Sequence, residues 1–170
     1  MCVITAAHCG RLSICYTLDH ITRRAATAAH CGRLIGLDPG SKTVGVALSD
    51  LSRMVASPAE ALRRGNFGAL AARLETLIEA EKVAGLIVGL PLNMDGSQGP
   101  SAQSARQFAE NLAARLDIPV ALWDKRLSTA AVERTLIDAD LSRRRRAELV
   151  DKLAAAYILQ GALDYLARHG

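Results

Sequence analysis

The feature that most constrains the fold is a short apolar run, Val83–Val88, directly after a segment with helical periodicity. In that segment, Phe67–Glu81, leucine and isoleucine recur at spacings of three and four residues, as on one face of a helix. The apolar run is short for a buried helix and is typical of a strand covered on both faces. A helix followed by a buried strand predicts a crossover connection between parallel strands.

The rest of the chain from Leu34 predicts more strands and helices around this unit. Further strands are predicted at Leu34–Asp38, Thr43–Leu48, Met54–Ser57 and Pro119–Trp123, and further helices over 101–116, 128–136 and 142–168. Three strands come first, and helices and strands then alternate. This order predicts an α/β fold, a mixed five-stranded sheet with helices packed on it. With 170 residues in total, the chain has room for one domain of ordinary size.

Residues 1–33 differ in composition from the domain predicted over 34–170. All four cysteines lie there, and the octamer Thr5–Leu12 recurs unchanged at Thr27–Leu34. We expect an extension that does not pack stably. Two alternatives stay open: an Arg-rich targeting segment, and a zinc site made by the two His-Cys pairs. The residues of those pairs are His8, Cys9, His30 and Cys31.

Composition excludes several classes of protein. Half of the residues are hydrophobic and 22% are charged, which is typical of a globular domain, and charges interrupt every apolar run before it could span a bilayer. The domain contains no cysteine, so thiol catalysis is excluded, and a reducing cytoplasm fits. Most of the net charge of +4 comes from the extension, but the domain holds one basic cluster, Arg143–Arg146.

Candidate functional residues follow the predicted strands, where sites in such sheets gather. Asp38 ends the first strand and is followed by a turn that contains Gly40 and Lys42. A glycine-rich loop, Val88–Gly99, follows the fourth strand, and its amides suit phosphate oxygens. The fifth strand ends in the charged triplet Asp124-Lys125-Arg126.

A further acid, Asp151, lies on the last predicted helix. It falls three and four residues before Ala154 and Ala155, on the apolar face of that helix, so we expect it to point toward the sheet. A carboxylate on a packing face is costly unless it is paired, hydrogen-bonded or bound to a metal ion. Because the domain offers no cysteine or core histidine, Mg²⁺ or Mn²⁺ is favoured over zinc.

Four ordered blocks of this sequence resemble the YqgF/RuvX family of pre-16S rRNA nucleases and Holliday-junction resolvase-like proteins. The blocks are Gly36–Asp50, Val88–Ser97, Asp124–Thr129 and Asp151–Gln160. The resemblance implies an RNase H-like sheet with helices on both faces. It also implies a metal-dependent nuclease that acts on RNA in the cytoplasm, in the 5′-end maturation of pre-16S rRNA during ribosome biogenesis.

The same resemblance implies roles for individual residues. Asp38, Asp124 and Asp151 are the predicted catalytic and metal-binding residues of a two-metal hydrolysis with Mg²⁺ or Mn²⁺. The substrate phosphates are predicted to contact basic residues, namely Lys42, Lys125, Arg126, Arg143 and Arg144.

One residue of the third block departs from the family's pattern. The family usually has Asp-Glu-Arg where this chain has Asp124-Lys125-Arg126. Adjacent strand residues face opposite sides, so Asp124 does not simply replace a carboxylate at position 125. Three outcomes are open: Asp124 turns into a weakened site, the Lys125 ammonium occupies one metal position, or nuclease activity is lost.

Three other functions stay open beside RNA cleavage. Lys125 could keep phosphate contact while abolishing metal binding, which would leave a non-catalytic RNA-binding module for ribosome assembly. A branched-DNA substrate, as for a Holliday-junction resolvase, is a second alternative, since fold and metal ligands do not choose the nucleic acid. An ATPase of the actin and sugar-kinase type is a third, although such enzymes close two lobes over the nucleotide.

Overall fold

The computed structural model describes residues 32–93, 95–125 and 143–169. Within these residues lie five strands and three helices, which we number in chain order. The strands are β1 (Arg33–Pro39), β2 (Thr43–Ser49), β3 (Ala56–Arg63), β4 (Val83–Leu90) and β5 (Val120–Asp124). The helices are α1 (Phe67–Glu81), α2 (Pro100–Arg115) and α3 (Arg143–His169).

The strands form one mixed sheet in the order β3-β2-β1-β4-β5. Strands β1, β4 and β5 are parallel, whereas β2 is antiparallel to both β1 and β3. Helix α1 connects β3 to β4 and helix α2 connects β4 to β5, so β4 follows a helix and pairs in parallel with β1 and β5, as its sequence predicted. The carboxyl ends of β1, β4 and β5 therefore lie at the same end of the sheet.

Alternating side chains of each strand supply two separate cores. Leu37, Val88 and Leu122 pack on the face covered by α1 and α2. Leu34, Ile87 and Ala121 pack on the face covered by α3. Helices thus cover both faces, which confirms the predicted RNase H-like arrangement.

Two glycines allow α3 to lie close to the sheet. A Cβ added to Gly36 of β1 would lie 2.6 Å from the Cβ of Leu159 and 2.8 Å from the carbonyl oxygen of Ala155. At Gly89 of β4 an added Cβ would lie 2.5 Å from Cδ1 of Ile158. The absence of side chains at these points sets how near α3 lies to β1 and β4.

Helix α3 is the longest element, at 27 residues. Its buried side chains include Ala155, Ile158 and Leu159, on the stripe that the sequence predicted to face the sheet. Across the residues that the structure describes, no helix is both long and apolar enough to cross a membrane.

The predicted bounds of the third strand were wrong. The strand runs over Ala56–Arg63, whereas Met54 and Val55 precede it and are exposed. The strand lies at the edge of the sheet and contains Pro58, so it lacks the apolar alternation that marks a half-buried strand. Its pairing with β2 also shifts register, because Val46 pairs with Glu60 but Ala47 pairs with Pro58.

The other predicted elements agree with the structure to within about two residues, and β1 begins at Arg33, one residue before the predicted domain boundary. The predicted helix over 128–136 and residues 1–31 of the predicted extension lie outside the described residues.

Candidate active site

Asp38 lies near the carboxyl end of β1, on the face covered by α3. It follows Leu34 and Gly36 at spacings of two, and both of those residues contact the core or backbone of α3. Asp38 is 8% exposed and is the only buried charged residue among those whose burial the structure describes. A buried carboxylate requires a partner, since desolvation disfavours an isolated charge.

The partner of Asp38 is Lys125, the first residue after β5. Its Nζ lies 2.8 Å from Oδ1 of Asp38, and the two side chains are 21% and 10% exposed. The backbone N–H of Lys125 donates to the carbonyl of Leu90, which anchors the residue beside the end of β4. The structure therefore brings together two of the predicted site residues as a largely buried ion pair.

Asp124 belongs to the other face of the sheet. Along β5, Val120 and Leu122 pack with α1 and α2, and alternation places Asp124 with them, whereas Trp123 packs with α3. Lys125 follows Trp123 on the α3 side, where it meets Asp38. Position 125, rather than 124, is therefore the position that faces Asp38.

These placements bear on the divalent cation that the family resemblance implies. The carboxylate of Asp38 holds an ammonium, and no group of three or more Asp, Glu, His or Cys residues suited to a metal is found within the described part of the chain. Mg²⁺ prefers several oxygen ligands, which are usually carboxylates and water. The described residues therefore do not fit a two-metal site around Asp38.

Position 151 lies in α3, one turn before Ala155. The carbonyl of Ala155 is beside Gly36, and Gln160 further along the helix bonds to Ala56, near the opposite end of the sheet. Helix α3 thus begins at the end of the sheet that holds Asp38. The side chain of Asp151 lies outside the described residues, so its approach to Asp38 stays a prediction.

The predicted substrate-binding residues are placed unevenly. Lys42 is exposed in the turn between β1 and β2, at the Asp38 end of the sheet. Arg143 and Arg144 begin α3, but their side chains lie outside the described residues. Arg126 is itself outside the described residues.

The glycine-rich loop after β4 uses several of its amides internally, which weakens its prediction as a phosphate cradle. The N–H of Asn93 donates to the carbonyl of Ser97, and the N–H of Gly96 donates to the carbonyl of Asn93. The N–H of Ser97 donates to Oδ1 of Asp95. The side-chain and backbone hydrogen bonds from Ser97 lower the pKa of Asp95 below its ordinary value.

Arg64, just after β3, is a basic residue near the site that the sequence did not reveal. Its guanidinium donates to the carbonyl of Gly40 (2.6 Å) and to Oγ of Ser104 (2.8 Å), and it lies over the ring of Phe108. Its backbone N–H donates to the carbonyl of Lys42. Arg64 therefore links the β1–β2 turn, which contains Lys42, to helix α2. The signal was missed because the third strand was predicted to end at Ser57, well before this residue.

Solved structures show which class of fold surrounds this site. The chain superposes on T. thermophilus RuvC, from a complex with a Holliday junction substrate, with a TM-score of 0.51 at 18% sequence identity. The match covers 82% of this chain and 96% of the other. This likeness shows the class of fold, which is RNase H-like, and Asp38 lies buried at the end of its central strand.

The family follows from the sequence comparisons. The model of the RuvX family, described as "Holliday junction resolvase", matches residues 32–165. The chain therefore belongs to the RuvX family, and its enzyme class is that of an endonuclease acting on phosphodiester bonds.

Individual relatives agree with this assignment. A protein of Gluconacetobacter diazotrophicus is 59% identical over 132 residues, which are 77% of this chain and 86% of the relative. A protein of Ruegeria pomeroyi is 50% identical over 153 residues, 90% of this chain and 97% of the relative. Both are named "Putative pre-16S rRNA nuclease".

Proposed function

We propose that this protein cleaves RNA phosphodiester bonds in the 5′-end maturation of pre-16S rRNA, in the cytoplasm and on a ribosomal precursor particle. The names of relatives that are 50–59% identical across the domain support this substrate. The observation that carries the proposal is the buried carboxylate of Asp38 at the carboxyl end of the central strand β1, paired with the ammonium of Lys125.

The described side chains suit a phosphodiester in two ways. Lys125 places a positive charge beside Asp38, and cationic side chains are the usual contacts of phosphate groups. Lys42 presents a second cation from the neighbouring turn. Arg126, Arg143 and Arg144 are proposed to contact phosphates further along the strand, which predicts salt-dependent binding.

The fold resembles that of a nuclease class that is typically dependent on divalent metal ions, and we propose Mg²⁺ or Mn²⁺ as the cofactor. Asp38 and Asp151 are the proposed ligands of a single ion, because strand alternation places Asp124 on the other face of the sheet. Cleavage measured with each ion titrated against a chelated control tests the cofactor. Equal cleavage in the chelated control would remove the ion from the proposal.

The test of the function compares the parent protein with Asp38→Asn on a pre-16S rRNA fragment that contains the 5′ precursor segment. The matched control is Asp117→Asn, since Asp117 is an exposed acid before β5, at the opposite end of the sheet. We expect Asp38→Asn to slow cleavage by about 100-fold or more, as for loss of a catalytic group. We expect Asp117→Asn to cleave like the parent. Equal cleavage by all three proteins would contradict the role of Asp38.

One alternative function is favoured by a specific observation. The ammonium of Lys125 neutralises Asp38, which is the arrangement expected of an RNA-binding module that has lost catalysis. Such a module would bind the same fragment in the parent and Asp38→Asn forms, and neither would cleave it. Including a four-way DNA junction in the same assays tests the resolvase alternative, which predicts faster cleavage of the junction than of the RNA.

A further inference from the structure

We propose that the ammonium of Lys125 is a built-in cation of the Asp38 site. It stands where a divalent ion would contact Asp38, so the site binds one divalent ion fewer than it would with glutamate at position 125. The inference relies on the proposed function only to name the site, because it concerns ion binding and not cleavage.

The positive charge of Lys125 lies against the carboxylate of Asp38. Nζ lies 2.8 Å from Oδ1 of Asp38, which is a typical length for a charge-assisted hydrogen bond. The Asp38 side chain is only 10% exposed, so few other directions are open for an ion to approach it. A cation therefore already contacts one oxygen of this largely buried carboxylate.

The ammonium of Lys125 would repel a divalent ion bound to Asp38. A Mg²⁺ ion bound to a carboxylate oxygen lies about 2.1 Å from it, so an ion on Asp38 would lie within roughly 5 Å of the ammonium. Repulsion between charges of +1 and +2 at that distance is strong where water is largely excluded. An ion that binds Oδ1 of Asp38 would therefore have to displace the ammonium.

Lys125 is held in place at the end of β5. Its backbone N–H bonds to Leu90 at the end of β4, and strand alternation directs its side chain to the α3 face. The side chain itself is only 21% exposed. Displacing the ammonium would break its ion pair with Asp38.

The experiment measures Mn²⁺ binding in the absence of nucleic acid. Free Mn²⁺ is followed by electron paramagnetic resonance, and the single tryptophan of the chain, Trp123, reports a nearby paramagnetic ion by fluorescence quenching. The variants are Lys125→Glu and Lys125→Met, each alone and combined with Asp38→Asn. The control is Lys82→Glu, which makes the same charge change at an exposed residue just before β4, at the far end of the sheet.

We expect Lys125→Glu to bind one more Mn²⁺ per chain than the parent. Lys125→Met is expected to bind Mn²⁺ about tenfold or more tightly than the parent, because the repulsion is removed. Both gains should quench Trp123 and disappear when Asp38→Asn is added. Lys82→Glu should bind like the parent. If Lys125→Glu does not fold, as judged by circular dichroism, Lys125→Met decides the question.

Several results would overturn the inference. Unchanged binding in the folded Lys125 variants would show that the ammonium does not exclude an ion. A parent protein that already binds Mn²⁺ as tightly as Lys125→Met, and loses it with Asp38→Asn, would show the same. An equal gain in Lys82→Glu would mean that net charge alone is responsible. Because none of these measurements uses RNA, a protein that fails to cleave pre-16S rRNA still tests the inference.

Discussion

Replacing Gly36 by alanine tests how closely α3 must approach the central strand. The added Cβ would lie 2.6 Å from the Cβ of Leu159 and 2.8 Å from the carbonyl oxygen of Ala155, whereas ordinary contacts are 3.4–4 Å. Both of these neighbours are fixed to the helix backbone and cannot move by rotating a side chain. The helix must therefore shift by about 1 Å or the strand must bend.

The expected cost follows from this overpacking. Adding a methyl group to a well-packed core typically destabilises a protein by about 1–3 kcal/mol. For a domain of this size, a loss of about 2 kcal/mol lowers the Tm by roughly 4–8 °C. Because Asp38 lies two residues after Gly36 on the same face, a shifted helix would also change the approach of position 151 to Asp38.

The measurement is urea-induced and thermal unfolding of Gly36→Ala beside Gly65→Ala. The control is matched because a Cβ added to Gly65 meets nothing within 4 Å. Gly65→Ala should unfold within about 0.5 kcal/mol of the parent. The packing argument would be refuted if Gly36→Ala were equally stable.

Three other expectations can be checked by unfolding and exchange measurements. In Gly89→Ala the new Cβ would lie 2.5 Å from Cδ1 of Ile158, an atom that Ile158→Val removes. The double variant should therefore be more stable, by about 1 kcal/mol in the free energy of unfolding, than the sum of the two single changes predicts. Additive losses of stability would argue against the contact. Gln160→Leu removes the hydrogen bonds of the Gln160 side chain to the N–H of Ala56 and the carbonyl of Met54. The free energy of unfolding should fall by about 1–2 kcal/mol, and the amide of Ala56 should exchange faster. An unchanged exchange rate at Ala56 would contradict this expectation. Hydrogen bonds from the backbone N–H groups of Val55 and then Met54 lower the pKa of Asp50 from its ordinary value of 3.8. The ionised Asp50 therefore stabilises the fold above pH 3.8, and this stabilisation is lost as the pH falls through the lowered pKa. The stability difference between the parent and Asp50→Asn should therefore shrink below about pH 4 in acid titrations of unfolding, and a constant difference would contradict this assignment.

Much of the fold could be predicted because its signals are local. The helical periodicity of Phe67–Glu81 and the apolar run that becomes β4 depend on neighbouring residues only, and both elements were located correctly. Strand β3 could not be predicted as well. It is held by pairing with β2 and by Gln160, which is distant in sequence, rather than by its own pattern.

The site was less predictable for a similar reason. Alternation along a strand indicated that positions 124 and 125 face opposite sides, and the structure places Lys125 on the side of Asp38. The sequence left open where the ammonium would go, because an ion pair between residues so far apart in the chain depends on the parallel pairing of β1, β4 and β5. The position of Arg64 depends in the same way on the true end of β3.

Strand β3, one of the two outer strands of the described sheet, bears on how the protein associates with itself in concentrated solution. Among the described strands, β3 has a neighbour on one side only, and such strands are templates on which other chains can assemble into aggregates. Pro58 has no N–H to offer to a neighbour, and the shift in register beside it bends the strand. An incoming strand would therefore meet an interrupted row of donors along β3, which disfavours edge-to-edge association at this strand.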